Sequence, residues 1–290
     1  MMICSRKPLC GKPSVIKYGR FYRRSESRWI QRYRCKSCGS HFSAATGTLE
    51  FKQHKRRENL PLLRLLTAGV SLRRSAFILK IDRRTVDRKL VYLAKKARQR
   101  HQDFLLQLKN QVTSMQFDDL ITNEHTKMKP LTVSIAVDAN RRFILSAKVG
   151  RIPAFGLLAE RSRAKYGRRE NDHKKTLKAM FKEMHTTISA QALIQSDEHQ
   201  RYPEFVECYL PGREYRRHPG GRGAIVGQGE LKKKKYDPIF ILNHTCAMLR
   251  AGVNRLIRKT WCTTKKPERL QMHLDIYIDF YNRLYLATKS

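Results

Sequence analysis

Thr113-Ser114-Met115-Gln116-Phe117-Asp118-Asp119-Leu120-Ile121 reads as a strand with two consecutive acids in it, and the fold follows from what flanks it. Two more strand-like runs come next, Leu131-Thr132-Val133-Ser134-Ile135-Ala136-Val137-Asp138 and Phe143-Ile144-Leu145-Ser146-Ala147-Lys148-Val149. The short turn Asn140-Arg141-Arg142 makes them a hairpin. A helix over about 172–187 precedes Ala192-Leu193-Ile194-Gln195-Ser196-Asp197, a buried-looking strand that ends on an acid. The last long element is an amphipathic helix over about 239–259. In it Leu242, Cys246, Leu249, Val253 and Leu256 form a buried stripe, and Asn243, Ala247, Arg250 and Asn254 share the adjacent face.

Three antiparallel strands, a helix, a further strand and closing helices match the RNase H-like plan. The expected class is therefore α+β and multi-domain, with an RNase H-like α/β unit over 111–290. In that plan an acid of the first strand and an acid ending the fourth sit side by side, and a third oxygen ligand comes from the late helix. Two Mg²⁺ ions held there activate a nucleophilic oxygen and stabilise the leaving oxygen of a phosphodiester. Asn243 is placed to point at the metals and Arg250 to reach a phosphate. An amide oxygen ligates Mg²⁺ without charge, so affinity is expected to be lower than with a third carboxylate. Asp119 follows Asp118 in a strand and so points to the other face. Asp138 ends a strand before a turn and reads as a turn residue.

Upstream, residues 1–48 hold four of the seven cysteines, Cys4, Cys10, Cys35 and Cys38. Arg34-Cys35-Lys36-Ser37-Cys38-Gly39 is a C-x2-C knuckle whose glycine allows the sharp turn that brings backbone N–H groups to the sulfurs. Val15-Ile16-Lys17-Tyr18-Gly19 and Trp29-Ile30-Gln31-Arg32-Tyr33-Arg34 read as strands of a small β-ribbon. Four thiolates so spaced suit tetrahedral Zn²⁺, whose binding folds a segment too short for its own core. A disulfide pair is the alternative, and His41 is close enough to compete as a ligand. Cys208, Cys246 and Cys262 read as free thiols in packed positions.

Residues 49–110 form the next unit, with a helical pattern from Leu60 to Lys96. Leu62, Leu65, Leu66 and Val70 mark a helix that ends near Gly69. Ser71 can cap a second one through Leu72, Ala76 and Leu79, and Asp82 a third, buried through Val86, Leu90 and Leu93. Arg83, Arg84, Thr85, Arg88 and Lys89 fall on the third helix's open face. The layout is that of a helix-turn-helix whose recognition helix enters the major groove, continued by a helical linker from Leu93 to Leu108. An ordinary three-helix unit with a solvated basic face is the plainer reading.

Charge agrees with a nucleic-acid partner. The chain has 290 residues, 61 Lys+Arg against 24 Asp+Glu, and a net charge of +37. Residues 1–110 carry 28 basic and 6 acidic side chains, and the other 180 carry 33 and 18, so most acids lie in the second half. Such an excess predicts polyanion binding, nucleic acid before an acidic membrane surface. A wholly disordered tail is excluded by 41% hydrophobic content. No apolar run approaches the ~18 residues of a membrane span, and the N-terminus has no apolar signal region, so a cytoplasmic place is expected.

Taken together, these blocks resemble the bacterial insertion-sequence transposases of the DDE type, which join a zinc ribbon and helix-turn-helix to an RNase H-like domain. The resemblance rests on the CxxCG knuckle with Phe42-Ser43, on Gln116-Phe117-Asp118-Asp119-Leu120 and on Ser196-Asp197. It rests also on Asn243-His244-Thr245-Cys246-Ala247-Met248-Leu249-Arg250 with Arg255-Leu256-Ile257-Arg258-Lys259-Thr260, and so spans nearly the whole chain. It implies Mg²⁺-dependent cleavage of element ends and strand transfer to target DNA, with Asp118 and Asp197 as the first two metal ligands. The third position, usually glutamate, falls on Asn243, and Glu230 is the rival. A catalytically inactive DNA-binding regulator and an RNA-handling nuclease of the same fold are the other readings. The implied partners are double-stranded DNA, as terminal repeats and target, and further copies of the chain, because two ends must be held together. Association with the bacterial nucleoid follows. The helix containing Tyr277, Phe280 and Tyr281 is a candidate interface, although it reads more simply as core.

Overall fold

The computed structural model describes residues 4, 10, 14–24, 27–51, 53–219, 237–257 and 262–285. An antiparallel ribbon, β1 (Val15–Arg23), β2 (Arg28–Cys35) and β3 (His41–Ser43), carries the knuckle. It is too small for a core of its own: Cys4, Cys10, Cys35 and Phe42 are its buried apolar groups. Tyr33 stacks on Phe42 at 5.9 Å and covers one side.

Three helices follow, α1 (Asn59–Thr67), α2 (Leu72–Ile78) and α3 (Arg83–Gln107). Gly69, at φ +73°, takes the left-handed conformation that closes α1, and the Val70 N–H donates to Leu65 O at 2.9 Å. Ser71 Oγ accepts from the Arg74 N–H to cap α2, and Asp82 Oδ1 accepts from the Arg84 N–H to cap α3. Val86, Leu90, Leu93, Ala97, His101 and Leu105 make one buried stripe down the 25 residues of α3. The segments expected as a recognition helix and a linker are thus a single continuous helix.

The second sheet comprises β4 (Val112–Asn123), β5 (Pro130–Asp138), β6 (Ile144–Arg151), β7 (Ile188–Asp197) and β8 (Glu214–His218), in the order β6-β5-β4-β7-β8. The first three strands in sequence pair antiparallel, and β7 and β8 run parallel to β4. The intervening helices are α4 (Ala159–Tyr166), α5 (His173–Met184) and α6 (Tyr202–Tyr209), and the chain closes with α7 (Phe240–Gly252) and α8 (Pro267–Phe280). On one face of β4, Met115 and Phe117 pack with Leu177 and Phe181 of α5 and Phe205 of α6. On the other, Leu120 packs with Leu242 and Leu249 of α7 and Leu274 of α8. The result is mixed α/β: one sheet between helical layers, and the ribbon as a second sheet. No helix of the described residues is long and apolar enough to cross a membrane.

The late helix departs from the expected 239–259 span. It stops at Gly252, where a Cβ would fall 2.1 Å from Cε2 of Tyr277, and Val253 turns extended. Leu256 is still buried, but through a short 3-10 turn, and Asn254 leaves the Asn243 face to donate from Nδ2 to Gly69 O at 2.8 Å. Tyr277 and Tyr281 are buried, which makes the aromatic end of α8 core.

Candidate functional site

Parallel pairing of β4 with β7 sets Phe117 against Ser196, so the next pair along the two strands is Asp118 and Asp197. Parallel neighbours at matched positions project from the same face, which puts both acids over the α7 side. Asp118 Oδ1 accepts from the Asp119 N–H at 2.6 Å. Burial, and next the charge of Asp197, push the Asp118 carboxyl up to about 7. Asp197 turns the chain after β7, its Oδ1 accepting from the His199 N–H at 3.0 Å.

Gln116, two residues before Asp118 on the same face, pins α7 to the sheet. Its Nε2 donates to Pro238 O at 2.9 Å, and its Oε1 accepts the Leu242 N–H at 3.1 Å. One turn further along α7, the half-buried Cys246 has its thiol pushed up to about 12 by burial and then by the Asp118 charge, while Arg250 opposes the shift. Asn243 is exposed on the first turn and donates from Nδ2 to Asp237 Oδ2 at 2.9 Å, which leaves its Oδ1 as the free end of the amide. Asp237 also accepts the Ile239 N–H through Oδ1 at 3.1 Å. Glu230, the rival third ligand, lies outside the described residues. Among the described residues, no three His, Cys, Asp or Glu ligand atoms gather around Asp118 and Asp197 as the cysteines do around one another.

Asp119 faces the other way, into a network that the sequence did not announce. Its Oδ1 accepts from Ser134 Oγ at 2.6 Å and Thr132 Oγ1 at 2.7 Å, and its Oδ2 lies 2.5 Å from His173 Nε2. Burial opposes the Asp119 charge, but the bonds from His173, Ser134 and Thr132 prevail and hold the carboxyl at about 2. Arg201 Nη1 stands 3.3 Å from His173 Nδ1. A guanidinium only donates, so Nδ1 accepts and the ring proton sits on Nε2, toward Asp119. The Tyr202 hydroxyl bridges Asp119 Oδ2 at 2.8 Å and Asp118 Oδ1 at 3.2 Å, joining the two faces. Of these groups Asp119, Thr132, His173 and Arg201 line a cleft of about 620 Å³, together with Ile152, Pro153 and Phe155. The sequence signal was only the second aspartate of the pair; nothing marked His173 or Tyr202. Asp138 is buried and accepts the Asn140 and Arg141 N–H groups, at 2.9 and 3.0 Å, as the acid of a turn.

Cys4, Cys10, Cys35 and Cys38 converge, all four sulfurs within 4.8 Å of one another. The Cys4–Cys38 and Cys10–Cys35 separations are both 3.6 Å. Tetrahedral Zn²⁺ with bonds of ~2.3 Å requires sulfurs about 3.8 Å apart, so the donor set fits that ion. Gly39, at φ +69°, donates its N–H to Cys35 O at 2.9 Å and closes the knuckle. The Cys38 N–H beside the Cys35 sulfur outweighs burial and holds that thiol down at about 6, whereas burial pushes the neighbouring Cys10 thiol up to about 12. His41 is exposed against the Tyr18 ring and outside the four-sulfur cluster. Of the other cysteines, Cys246 and Cys262 are half-buried, but Cys208 is exposed instead of packed.

On α3, Arg83, Arg84 and Arg88 are exposed and Thr85 is half-buried. Lys89 is not on that surface. It is 2% exposed, and its Nζ donates to His54 O, Lys55 O and Asn59 Oδ1 at 3.0, 2.8 and 2.7 Å. Residues 53–59 wrap over the helix there, a contact that helical periodicity does not reveal. Burial lowers its ammonium pKa to about 8, with Glu58 acting the opposite way.

No family model matches the chain, and no curated protein matches it either.

Proposed function

We propose that the chain is a DDE-type DNA transposase that cuts the ends of a mobile element and joins the 3′-hydroxyls to target DNA. One observation carries the reading: Asp118 and Asp197 leave adjacent parallel strands at matched positions, in a sheet ordered β6-β5-β4-β7-β8. That order and those directions suit an RNase H-like domain. The elevated Asp118 pKa records burial beside a like charge, a strain that a cation relieves. Asp118, Asp197 and the Asn243 oxygen are the groups that would hold Mg²⁺. When bound, Mg²⁺ supplies Lewis-acid activation of the attacking oxygen and stabilises the leaving oxygen. Arg250 on α7 attracts the scissile phosphate. Tyr202 and the Asp119 N–H fix the Asp118 carboxylate, and Gln116 fixes the approach of α7 to it. The four cysteines form a structural Zn²⁺ ribbon, and Arg83, Arg84, Thr85 and Arg88 face double-stranded DNA. Two element ends require at least two copies of the chain.

A DNA-binding regulator without nuclease activity is the second reading, favoured by Asn243 in place of an acid and by its bond to Asp237. The test is incubation of purified protein with terminal-repeat duplexes and Mg²⁺. Cleavage that disappears in Asp118→Ala and in Asp197→Ala is the expected result. Asn243→Ala set against Glu230→Ala identifies the third ligand. Binding that survives chelation, with no strand breakage under any divalent ion, would leave the regulator.

A further inference from the structure

A second cavity, of about 380 Å³, lies at the seam between the three-helix unit and the C-terminal helices. Ser71, Arg73 and Arg83 line one side, and Arg255, Lys265 and His273 the other. Among the described residues no acidic side chain lines it. Two of its groups have hydrogen-bonding capacity that no partner among the described residues uses. Arg255 donates from Nη1 to Thr263 O at 3.1 Å, but its buried Nε has no partner among the described residues. His273 is 5% exposed, and its Nε2 likewise has none.

An arginine driven this far inside a protein ordinarily meets a carboxylate, because an unpaired buried donor costs about 1–3 kcal/mol and more when charged. Here its charged neighbours are of both signs. Burial, and after it Arg269 and Arg83, lower the Arg255 pKa, against the pull of Cys262 and Asp87. Asp87 is itself in a 3.6 Å ion pair with Arg83 on the surface. Burial, followed by Arg255 and Arg269, holds the His273 imidazole down at about 3, so the ring is neutral and can donate from Nε2. The chemistry these donors suit is an anion with several acceptor oxygens. A phosphate group meets that need, and a guanidinium with a free Nε is the donor best shaped for it.

The surroundings indicate the source. Arg83 belongs both to this cavity and to the exposed basic face of α3, so a polyphosphate backbone lying along α3 passes its mouth. We propose that the cavity seats one backbone phosphodiester of the bound DNA, gripped from the helix-turn-helix side by Arg73 and Arg83 and from the C-terminal side by Arg255, Lys265 and His273. The phosphate class rests on the cavity's own donors; the DNA source rests on the function proposed above. Such a phosphate stitches the two halves where Asn254 already donates to Gly69 O, and so registers the DNA against the sheet.

The test uses the full-length protein and the exposed pair Arg73→Ala/Lys265→Ala, whose side chains support no core. In a duplex titration over a salt series, the double variant should lower the slope of log K against log salt by about 1, the share of one phosphate. Inorganic phosphate should raise the melting temperature of the wild-type protein above that in chloride at equal ionic strength, and the double variant should lose that rise. An unchanged slope in a variant that still binds and cleaves DNA overturns the proposal but not the transposase. If phosphate stabilises the wild type while the DNA slope does not move, the cavity serves a free anion and the phosphodiester is overturned. A reduced slope in a protein that cuts nothing with Mg²⁺ supports the cavity and removes the transposase.

Discussion

Asp118 and Asp119 are neighbours in sequence with opposite chemistry, because successive residues of a strand face opposite sides of the sheet. Asp118 meets Asp197 and burial, and its carboxyl rises to about 7; Asp119 meets His173, Ser134 and Thr132, and its carboxyl falls to about 2. The alternation was legible in the sequence, and the partners were not, since His173 and Tyr202 arrive from helices 54 and 83 positions away. Lys89 teaches the converse. Periodicity set it beside Arg88 on an open face, but residues 53–59 cover it, and three oxygens accept its hydrogen bonds. Lys89→Met should therefore cost about 2–3 kcal/mol in a urea melt, through lost bonds and orphaned carbonyls. It should leave the salt slope of DNA binding unchanged. Arg84→Ala should do the reverse, melting almost as the wild type and lowering that slope by about 1. If Lys89→Met reduced the slope as well, the residue would belong to the DNA surface after all.

At the scale of elements, strands with apolar runs were legible and polar ones were not. β5 is buried along its whole length and was read from its sequence, as was β7 from Ala192 to Asp197. β8, Glu214-Tyr215-Arg216-Arg217-His218, has no apolar alternation; only its place at the sheet edge beside β7 makes it a strand. α4 buries Ser162 alone, so it too had no hydrophobic stripe to betray it. The excess length read into α7 has a steric cause. The stripe continues through Val253 and Leu256, but α8 crosses at Gly252 with the Tyr277 ring where a side chain would stand. Tyr277 cannot swing aside, being 4% exposed with its hydroxyl donating to Met248 O at 3.2 Å. Gly252→Ala is thus expected to overpack the junction and destabilise the protein by about 2–3 kcal/mol, seen as a lower urea midpoint at unchanged m-value. A melt like that of the wild type would mean that α7 and α8 are not in such close contact.

Across the whole molecule, α3 is the member shared by both halves. Its N-terminal turns pack with α1 and α2, and Ile276 of α8 joins the same apolar cluster as Leu90, Leu93 and Ala97. Further along, His101 Nε2 meets Leu145 O of β6 at 2.9 Å. The seam with α8 is also ionic: Arg98 pairs with Asp275 at 2.5 Å, while Arg100 and Arg283 both engage Asp279, at 2.5 and 2.9 Å. A positively charged protein has few carboxylates to spare, and Asp279, 2% exposed between two arginines, balances charge that the net +37 makes hard to offset elsewhere. Its removal leaves two half-exposed guanidinium groups facing each other. Asp279→Ala should accordingly lower stability by about 1–2 kcal/mol, between the ~0–1 kcal/mol of a solvated surface pair and the cost of breaking a fully buried one. Because the lost contact joins the halves, protease nicking near residues 108–111, the turn between α3 and β4, should quicken in the same variant. A loss of only a few tenths of a kcal/mol would mean that water already screens the pair, and that the apolar contacts of Leu93 and Ala97 with Ile276 hold the helices together without help from charge.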